Sequence, residues 1–186
     1  MDRGVANAIA GTTPGSASGI FYRHAWIGMR ELKASSGGGR WGPPRAYGVL
    51  YLGRPEPSVI AEAYRSLVDA VEGMRPELVG PRRFFTVDVD VTNLLDLRVS
   101  EHRAAVGLDA DALAGSWAPC QRVGLAAHQL GLHGVIAPAA TWLGLTLALF
   151  EHNLPAEQWP TIAAHSEWAH LPPDPRRLRA VDDQSA

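Results

Sequence analysis

Hydrophobic and polar residues alternate along parts of the chain in patterns that predict β-strands. Residues 84–91 (FFTVDVDV) alternate with a period of two, which is typical of a half-buried strand. Residues 21–26 and 47–52 are short aromatic or apolar segments that also predict strands. Residues 135–136 and 143–151 form further apolar runs of strand length. The chain is therefore expected to contain a sheet.

Apolar residues show helical spacing in two other parts of the chain. Apolar residues recur at helical intervals between residues 59 and 72, with Ser58 as a suitable N-cap and Gly73 as a suitable stop. A second helix is predicted at residues 120–130. Strands and helices do not alternate as in a doubly wound sheet, and no G-x-G-x-x-G or Walker A loop is present. The pattern favours a single α+β domain.

Local composition divides the chain into three parts. Residues 1–19 are rich in Gly, Ala, Ser and Thr and are expected to form a flexible N-terminal segment. Residues 20–170 are expected to form the folded domain. Residues 171–186 are rich in Pro, Arg and Asp and are expected to form a flexible tail. Within the domain, residues 33–44 form a long Gly/Ser/Pro loop, and loops of that length are often functional.

Composition and charge exclude several classes of protein. The 186 residues are 46% hydrophobic and 19% charged, which is typical of a soluble globular domain. The net charge of −2 argues against direct nucleic-acid binding, which would need a basic surface. The most apolar stretch, residues 143–150, is too short for a membrane-spanning helix. Because Cys120 is the only cysteine, no intrachain disulfide is possible, and a cytoplasmic location is expected.

Candidate chemistry lies at and after the long loop. Gly37–Gly39 precede Arg40, and Tyr51 and Glu62 follow at equal intervals. Glycine lets the backbone approach a ligand closely, and arginine offers a rigid fork of donors for phosphate. A glutamate beyond a strand could face a developing positive charge. Together these groups suit a site that holds a dinucleotide and breaks its glycosidic bond, while Trp41 is expected to pack the loop.

Each of these residues also has a simpler interpretation. Glu62 could be an exposed glutamate at a helix start, where it interacts with the helix dipole. Tyr51 could be a strand tyrosine packed in the core. Arg23 and Arg40 could be surface arginines, and His24 could have a structural role.

Metal and nucleophilic chemistry have no support in the sequence. The histidines show no H-E-x-x-H motif and no paired Cys/His spacing, so no metal site is expected. His165 and His170 are expected on a solvated helix near the C terminus. No Gly-x-Ser-x-Gly elbow is present.

The order and spacing of these residues resemble the RES-domain toxins of bacterial type II toxin–antitoxin systems, and are closest to the mycobacterial MbcT-like NAD⁺ phosphorylases. The resemblance covers roughly residues 20–155. The residues that carry it are Tyr22-Arg23, Gly39-Arg40-Trp41, Pro43-Pro44, Tyr51, Glu62, Trp117, Cys120-Gln121, the segment 134–139 (GVIAPA) and an apolar strand ending near Glu151.

This resemblance implies a fold similar to the diphtheria-toxin-like ADP-ribosyltransferase core. It implies NAD⁺ as substrate and inorganic phosphate as co-substrate, with nicotinamide and ADP-ribose-1″-phosphate as products and without a metal. It also implies a cognate antitoxin that occludes the active site.

Carried over by position, the resemblance places Arg23, Arg40, Tyr51 and Glu62 in the active site. Glu62, Arg23 and Tyr51 are the expected catalytic residues. Glu62 would stabilise the ribosyl cation and contact the ribose, the two arginines would hold pyrophosphate or the attacking phosphate, and Tyr51 would stack on nicotinamide. His24 would donate to a phosphate, which completes the residues expected to bind NAD⁺.

Two positions depart from the family pattern. His24 stands where similar members carry a tyrosine, and Ala118 stands where they carry a serine. These departures keep two alternatives open. One is a mono-ADP-ribosyltransferase that acts on a host protein, and the other is a non-catalytic RES domain that only binds its antitoxin.

Overall fold

The computed structural model describes residues 2–177, which contain five α-helices, six β-strands and a short helical stretch at residues 175–177. The helices are α1 (Arg3–Ala10), α2 (Glu56–Tyr64), α3 (Ser100–Ala105), α4 (Ala110–Ala114) and α5 (Trp117–Gln129). The strands are β1 (Gly15–Trp26), β2 (Val49–Arg54), β3 (Arg82–Asp96), β4 (Gly134–Pro138), β5 (Leu145–Phe150) and β6 (Thr161–Trp168). A π-helical segment, Arg65–Asp69, continues α2, and 3₁₀ turns lie at Pro76–Leu78 and Ala156–Gln158. The expected α+β class is confirmed.

The six strands form one mixed sheet in the order β1-β2-β5-β4-β3-β6. Only the pairing of β3 with β4 is parallel among the described strands. Because β3 also pairs with β1 over most of the length of β1, the order returns to its start and β1 to β5 close into a ring. The ring is split between β1 and β2, which share the single register pair Tyr22↔Gly53.

Alternation along β3 separates the inside of the ring from its outside. Val87, Val89 and Val91 are fully buried, whereas Asp88 and Asp90 between them are exposed. Apolar side chains from all five ring strands join them in one cluster. A second cluster packs α1, α4 and α5 against β2, β4 and β5, and a third packs α2 against β3 and β6. Helices α2 and α5 are thus anchored by different clusters.

The helix predicted at residues 59–72 exists but has different ends. It begins at Glu56, and a proline in its first turn removes one of the N–H groups that a side-chain cap would otherwise satisfy. Ser58 is therefore buried inside the helix and is not an N-cap. The helix changes to π-helical geometry at Arg65–Asp69 and ends before Gly73, which has a φ of +74°.

Other predicted elements are confirmed with shifted boundaries, and some were missed. The strand predicted at residues 84–91 is the centre of β3, and the helix predicted at 120–130 is α5, which begins at Trp117. The sequence did not reveal α3, α4 or β6. Strand β6 is exposed on both faces up to its last residue, so it lacks a period-two pattern. His165 lies in this strand, and the prediction of a helix there is wrong.

The N-terminal part, for which composition predicted flexibility, contains a helix and the start of a strand. Within residues 2–19, helix α1 is followed by the first residues of β1. The Asp2 carboxylate accepts hydrogen bonds from two backbone N–H groups of the first turn and so caps α1. Ala6 and Ile9 are buried. Small residues gave this segment the composition of a linker, although a cap and an apolar face hold it as a helix.

Part of the C-terminal segment 171–186 is also tied to the domain. Arg176 pairs with Asp69 of the π-helical segment at 2.6 Å and with the buried Asp174 at 2.7 Å. Residues 178–186 lie outside the described residues. Within residues 2–177, no helix combines the length and apolar character needed to cross a membrane.

Candidate active site

A cavity of about 480 Å³ opens at the split between β1 and β2. The loop before β2, helix α2 with its π-helical segment, and the start of α5 form its other walls. The five residues predicted to contact the nucleotide all line it: Arg23, His24, Arg40, Tyr51 and Glu62. Among the described lining residues Glu62 is the only acidic one, while three are arginines. The structure therefore brings together residues that are far apart in the sequence.

The glycine loop lies against Tyr51. A Cβ atom on Gly39 would stand 2.6 Å from the Tyr51 hydroxyl oxygen and 2.9 Å from its ring carbon Cε2, which is too close for any side chain. Gly39 and Gly42 exchange two backbone hydrogen bonds of 2.9 and 3.3 Å, which make the loop a tight turn. Gln121 of α5 donates to the Gly39 carbonyl at 3.0 Å. Gly39 is thus needed for contact with Tyr51, an internal role that the sequence did not show.

Trp41 packs this loop as the sequence predicted. Its side chain is 1% exposed and belongs to the cluster around α5. Gly124 of α5 lies directly beneath it, because a Cβ on Gly124 would collide with the Trp41 carbonyl. The Tyr47 hydroxyl donates to the same carbonyl at 2.9 Å. The loop that carries Arg40 is therefore held from two sides.

Tyr51 points from β2 toward the glycine loop. Its hydroxyl oxygen accepts a hydrogen bond of 2.9 Å from the Trp41 N–H. Burial raises the pKa of Tyr51 to about 12, so its hydroxyl stays protonated at neutral pH. Tyr51 can therefore offer a ring face or a hydroxyl, but it is a poor general base.

Arg23 and His24 lie next to each other on β1 and differ in environment. Arg23 Nη1 donates to the Tyr51 carbonyl at 3.2 Å, across the split between the strands, and burial lowers its pKa. Burial, followed by the charges of Arg82 and Arg23, lowers the pKa of His24 to about 3, so this imidazole is neutral. Arg82 Nη2 lies 3.4 Å from His24 Nδ1. If Nδ1 accepts this bond, the Nε2–H of His24 is a donor.

Arg40 and Arg65 converge on the C-terminal end of α4. Arg40 donates to the carbonyls of Gly115 at 3.2 Å and of Ala114 at 3.4 Å. Arg65 Nη2 donates to the same Ala114 carbonyl at 3.3 Å. Carbonyls at a helix end attract cations. Two guanidinium groups are therefore close together on one side of the cavity.

Glu62 lies in the second turn of α2, one helical turn before Arg65. Its Oε1 is 3.5 Å from Arg65 Nη1, and its side chain is 36% exposed. The Ser66 hydroxyl donates to the Glu62 carbonyl at 2.9 Å. Arg65 was not among the residues predicted from the sequence, although its position three residues after Glu62 on a helix is a signal for their pairing.

The position where family members carry serine is away from the cavity lining. Helix α5 begins earlier than predicted, and the Ser116 hydroxyl caps it by accepting from the Ala118 N–H at 3.4 Å. Both residues are exposed, and neither is among the described residues that line the cavity. Trp117 between them does line it and is 50% exposed.

Comparisons with known proteins agree with this architecture. The model of the family described as "RES domain" matches residues 17–178. The chain is 36% identical over 117 residues to proteins named NAD(+) phosphorylase MbcT from Mycobacterium bovis and Mycobacterium tuberculosis. That alignment covers 62% of this chain and spans 63% of the length of those relatives.

A solved structure is similar over a longer range. It is the crystal structure of the M. tuberculosis MbcT–MbcA toxin–antitoxin complex, with a TM-score of 0.81 and 28% identity. The similarity covers 90% of this chain and 93% of that chain. Because the family match extends over most of the length and the fold agrees, this chain belongs to the RES-domain family.

Proposed function

We propose that this protein is a toxin that degrades NAD⁺ by phosphorolysis, releasing nicotinamide and ADP-ribose-1″-phosphate. The observation that carries the proposal is that Glu62, the one carboxylate among the described lining residues, shares the cavity with three arginines and several aromatic rings. A carboxylate suits the cationic ribose of the transition state, and arginines suit the phosphates on either side of it. The relatives named NAD(+) phosphorylase support the choice of substrate.

The residues divide the reaction between them. Glu62 stabilises the positive charge that develops on the ribose and contacts a ribose hydroxyl. Arg23 binds the pyrophosphate of NAD⁺, with the His24 Nε2–H as a further donor, while Arg40 reaches the cavity from the glycine loop. Tyr51 packs against nicotinamide. The preorganised loop and strand limit the reorganisation needed when substrate binds.

The pocket favours an anionic nucleophile over a neutral one. A water molecule or a protein hydroxyl would need a general base, whereas phosphate attacks with its own negative oxygen. Tyr51 is protonated and the low pKa of His24 makes it a weak base, so among the described lining residues Glu62 alone could serve. In the step itself, a phosphate oxygen bonds to ribose C1″. The C1″–N bond breaks, and its electron pair neutralises the pyridinium nitrogen.

The split ring of strands also suggests a relation to the fold of the ADP-ribosyltransferases. We propose that the split between β1 and β2, with a glutamate on the neighbouring helix, corresponds to the nucleotide cleft of the diphtheria-toxin-like core. This correspondence predicts that nicotinamide lies near Tyr51 and that adenosine extends along the cavity away from Glu62. A crystal structure with a slowly cleaved NAD⁺ analogue would test it.

We also propose a cognate antitoxin that covers this cavity. The solved complex with an antitoxin supports this partner. Co-expression of the neighbouring gene product, followed by measurement of NAD⁺ consumption, tests the proposal. An adjacent gene whose product leaves NAD⁺ consumption unchanged would contradict it.

NAD⁺ turnover by the purified chain, with and without inorganic phosphate, tests the reaction when products are identified by mass. We expect a phosphate-dependent sugar phosphate in wild type and a loss on the order of 10²–10³ in Glu62→Gln. Equal ADP-ribose formation in both buffers would instead indicate hydrolysis or a transferase without its acceptor. Intact NAD⁺ with folded protein would favour the non-catalytic domain.

A further inference from the structure

We propose that Arg65, together with Arg40, forms the subsite that holds the attacking inorganic phosphate beside Glu62. This inference rests on the proposed phosphorolysis and assigns its second substrate to a place in the cavity. It adds a residue, Arg65, that the sequence pattern did not identify.

The arrangement of the two guanidinium groups carries the inference. Arg40 and Arg65 donate to one carbonyl oxygen, that of Ala114, at 3.4 and 3.3 Å. Each guanidinium has five N–H donors in a fixed fork, so further donors remain for a ligand. The Arg65 side chain is 29% exposed, which leaves it accessible from the cavity that it lines. Paired forks of this kind bind a tetrahedral dianion through several charge-assisted hydrogen bonds.

The local charge also favours an anion. Among the described residues, the only carboxylate paired with either arginine is Glu62, which lies 3.5 Å from Arg65 and forms no salt bridge with Arg40. The guanidinium groups of Arg40 and Arg65 outnumber the Glu62 carboxylate, so this part of the cavity carries an excess positive charge. Phosphate would neutralise that excess without displacing the Glu62 carboxylate from its place.

Proximity to Glu62 separates this subsite from the pyrophosphate contact. Arg65 touches the carboxylate that we assign to the ribose cation, so an anion on Arg65 lies near the carbon that is attacked. Arg23 lies on β1 and donates across the split to the Tyr51 carbonyl. A phosphate next to Glu62 would be repelled by it, and the Arg65 guanidinium between the two anions offsets that repulsion.

The local backbone supports this position of Arg65. It is the first residue of the π-helical segment that continues α2, and such segments occur often at functional sites. The Ser66 hydroxyl bonds to the carbonyls of Glu62 and Ala63 at 2.9 and 3.3 Å in the same turn. Glu62 at the end of α2 and Arg65 at the start of the π-helical segment therefore face the cavity from one helical turn.

The test measures phosphate binding without turnover and then the kinetics. Inorganic phosphate is titrated calorimetrically into wild type, Arg65→Gln, Arg65→Lys and Arg30→Gln. Arg30 is an exposed arginine outside the lining and provides a control for the lost charge. We expect the phosphate dissociation constant to rise by on the order of ten- to a hundredfold in Arg65→Gln. In Arg65→Lys, which keeps the positive charge, the rise should be smaller. Arg30→Gln should bind phosphate as wild type does.

Steady-state kinetics then distinguish a phosphate site from a general structural role. In Arg65→Gln, the KM for phosphate should rise by a similar factor while the KM for NAD⁺ stays within about twofold. Unchanged phosphate binding in Arg65→Gln, or a rise confined to the KM for NAD⁺, would overturn the inference. If wild type binds phosphate through Arg65 but leaves NAD⁺ intact, the proposed function fails while the anion subsite stands. Absence of phosphate binding by folded wild type refutes the subsite itself.

Discussion

Replacing Tyr51 with phenylalanine tests whether the glycine loop is held by the hydrogen bond between the Tyr51 hydroxyl and the Trp41 N–H. That bond is 2.9 Å long, and among the described residues the Tyr51 oxygen is the only acceptor for this N–H. Because Trp41 is buried, water cannot readily replace the lost acceptor. The phenylalanine ring would still fill the space between β2 and the loop. The substitution therefore removes one interaction with little change in packing.

The magnitude follows from leaving a buried backbone donor unsatisfied. Such a group costs about 1–3 kcal/mol of unfolding free energy. For a chain of this length that corresponds to a fall in Tm of roughly 2–12 °C. Urea denaturation followed by tryptophan fluorescence measures the free energy, and calorimetry measures Tm.

Tyr22→Phe is the matched control. Tyr22 lines the same cavity and stacks on Phe84 at 5.5 Å, and its hydroxyl makes no hydrogen bond within residues 2–177. Its loss should change stability by no more than about 0.5 kcal/mol. Equal urea midpoints for Tyr51→Phe and Tyr22→Phe would refute the idea that Tyr51 anchors the loop.

Three further substitutions test other parts of the structure. Gly39→Ala should lower the free energy of unfolding by about 1–3 kcal/mol, because the new methyl group would overlap the Tyr51 ring; chemical denaturation measures this. Stability should fall as pH drops from 6.5 toward 3, because the unfolded chain takes up a proton at His24 that the folded chain, with a pKa of about 3, does not. His24→Gln should make this fall shallower in urea titrations at several pH values. Arg176→Gln should cost about 1–3 kcal/mol and speed proteolysis of the C-terminal segment, because the buried Asp174 carboxylate loses its partner.

Controls for these variants come from open positions on the surface. Gly80→Ala places a methyl group where no atom lies within 4 Å, so it should be close to neutral. A similar loss in Gly39→Ala and Gly80→Ala would exclude the steric explanation. Parallel stability–pH curves for wild type and His24→Gln would show that other groups cause the acid sensitivity. The C-terminal segment should be cleaved faster in Arg176→Gln than in Arg30→Gln, which changes an exposed arginine. Equal proteolysis rates would contradict the idea that Arg176 holds this segment on the domain.

The sequence predicted the elements whose patterns are set by one buried face. Strand β3 was evident because its residues alternate between the core and solvent. The edge strand β6 was not, because pairing with β3 rather than burial holds it in place. Helix α1 was not predicted because its residues have the composition of a linker. Its Asp2 cap and buried Ile9 become apparent only when the core is assembled.

At the candidate site, too, some residues were predicted from the sequence and one depends on the tertiary structure. Spacing and resemblance predicted Arg23, Arg40, Tyr51 and Glu62 as site residues, and all four line one cavity. Neither revealed that Arg65 would join them, because that depends on how α2 meets the end of α4.

By itself, the sequence determined the class of fold, most of the core strands and the chemical groups available for the proposed reaction with NAD⁺. Those features depend on local periodicity and residue type, which are properties of neighbours in the chain. Only the tertiary structure decided which groups meet, since the split between β1 and β2 is a consequence of strand pairing over long range. It also decided that His24 is neutral and that Tyr51 holds the loop, because burial and distant partners set both properties.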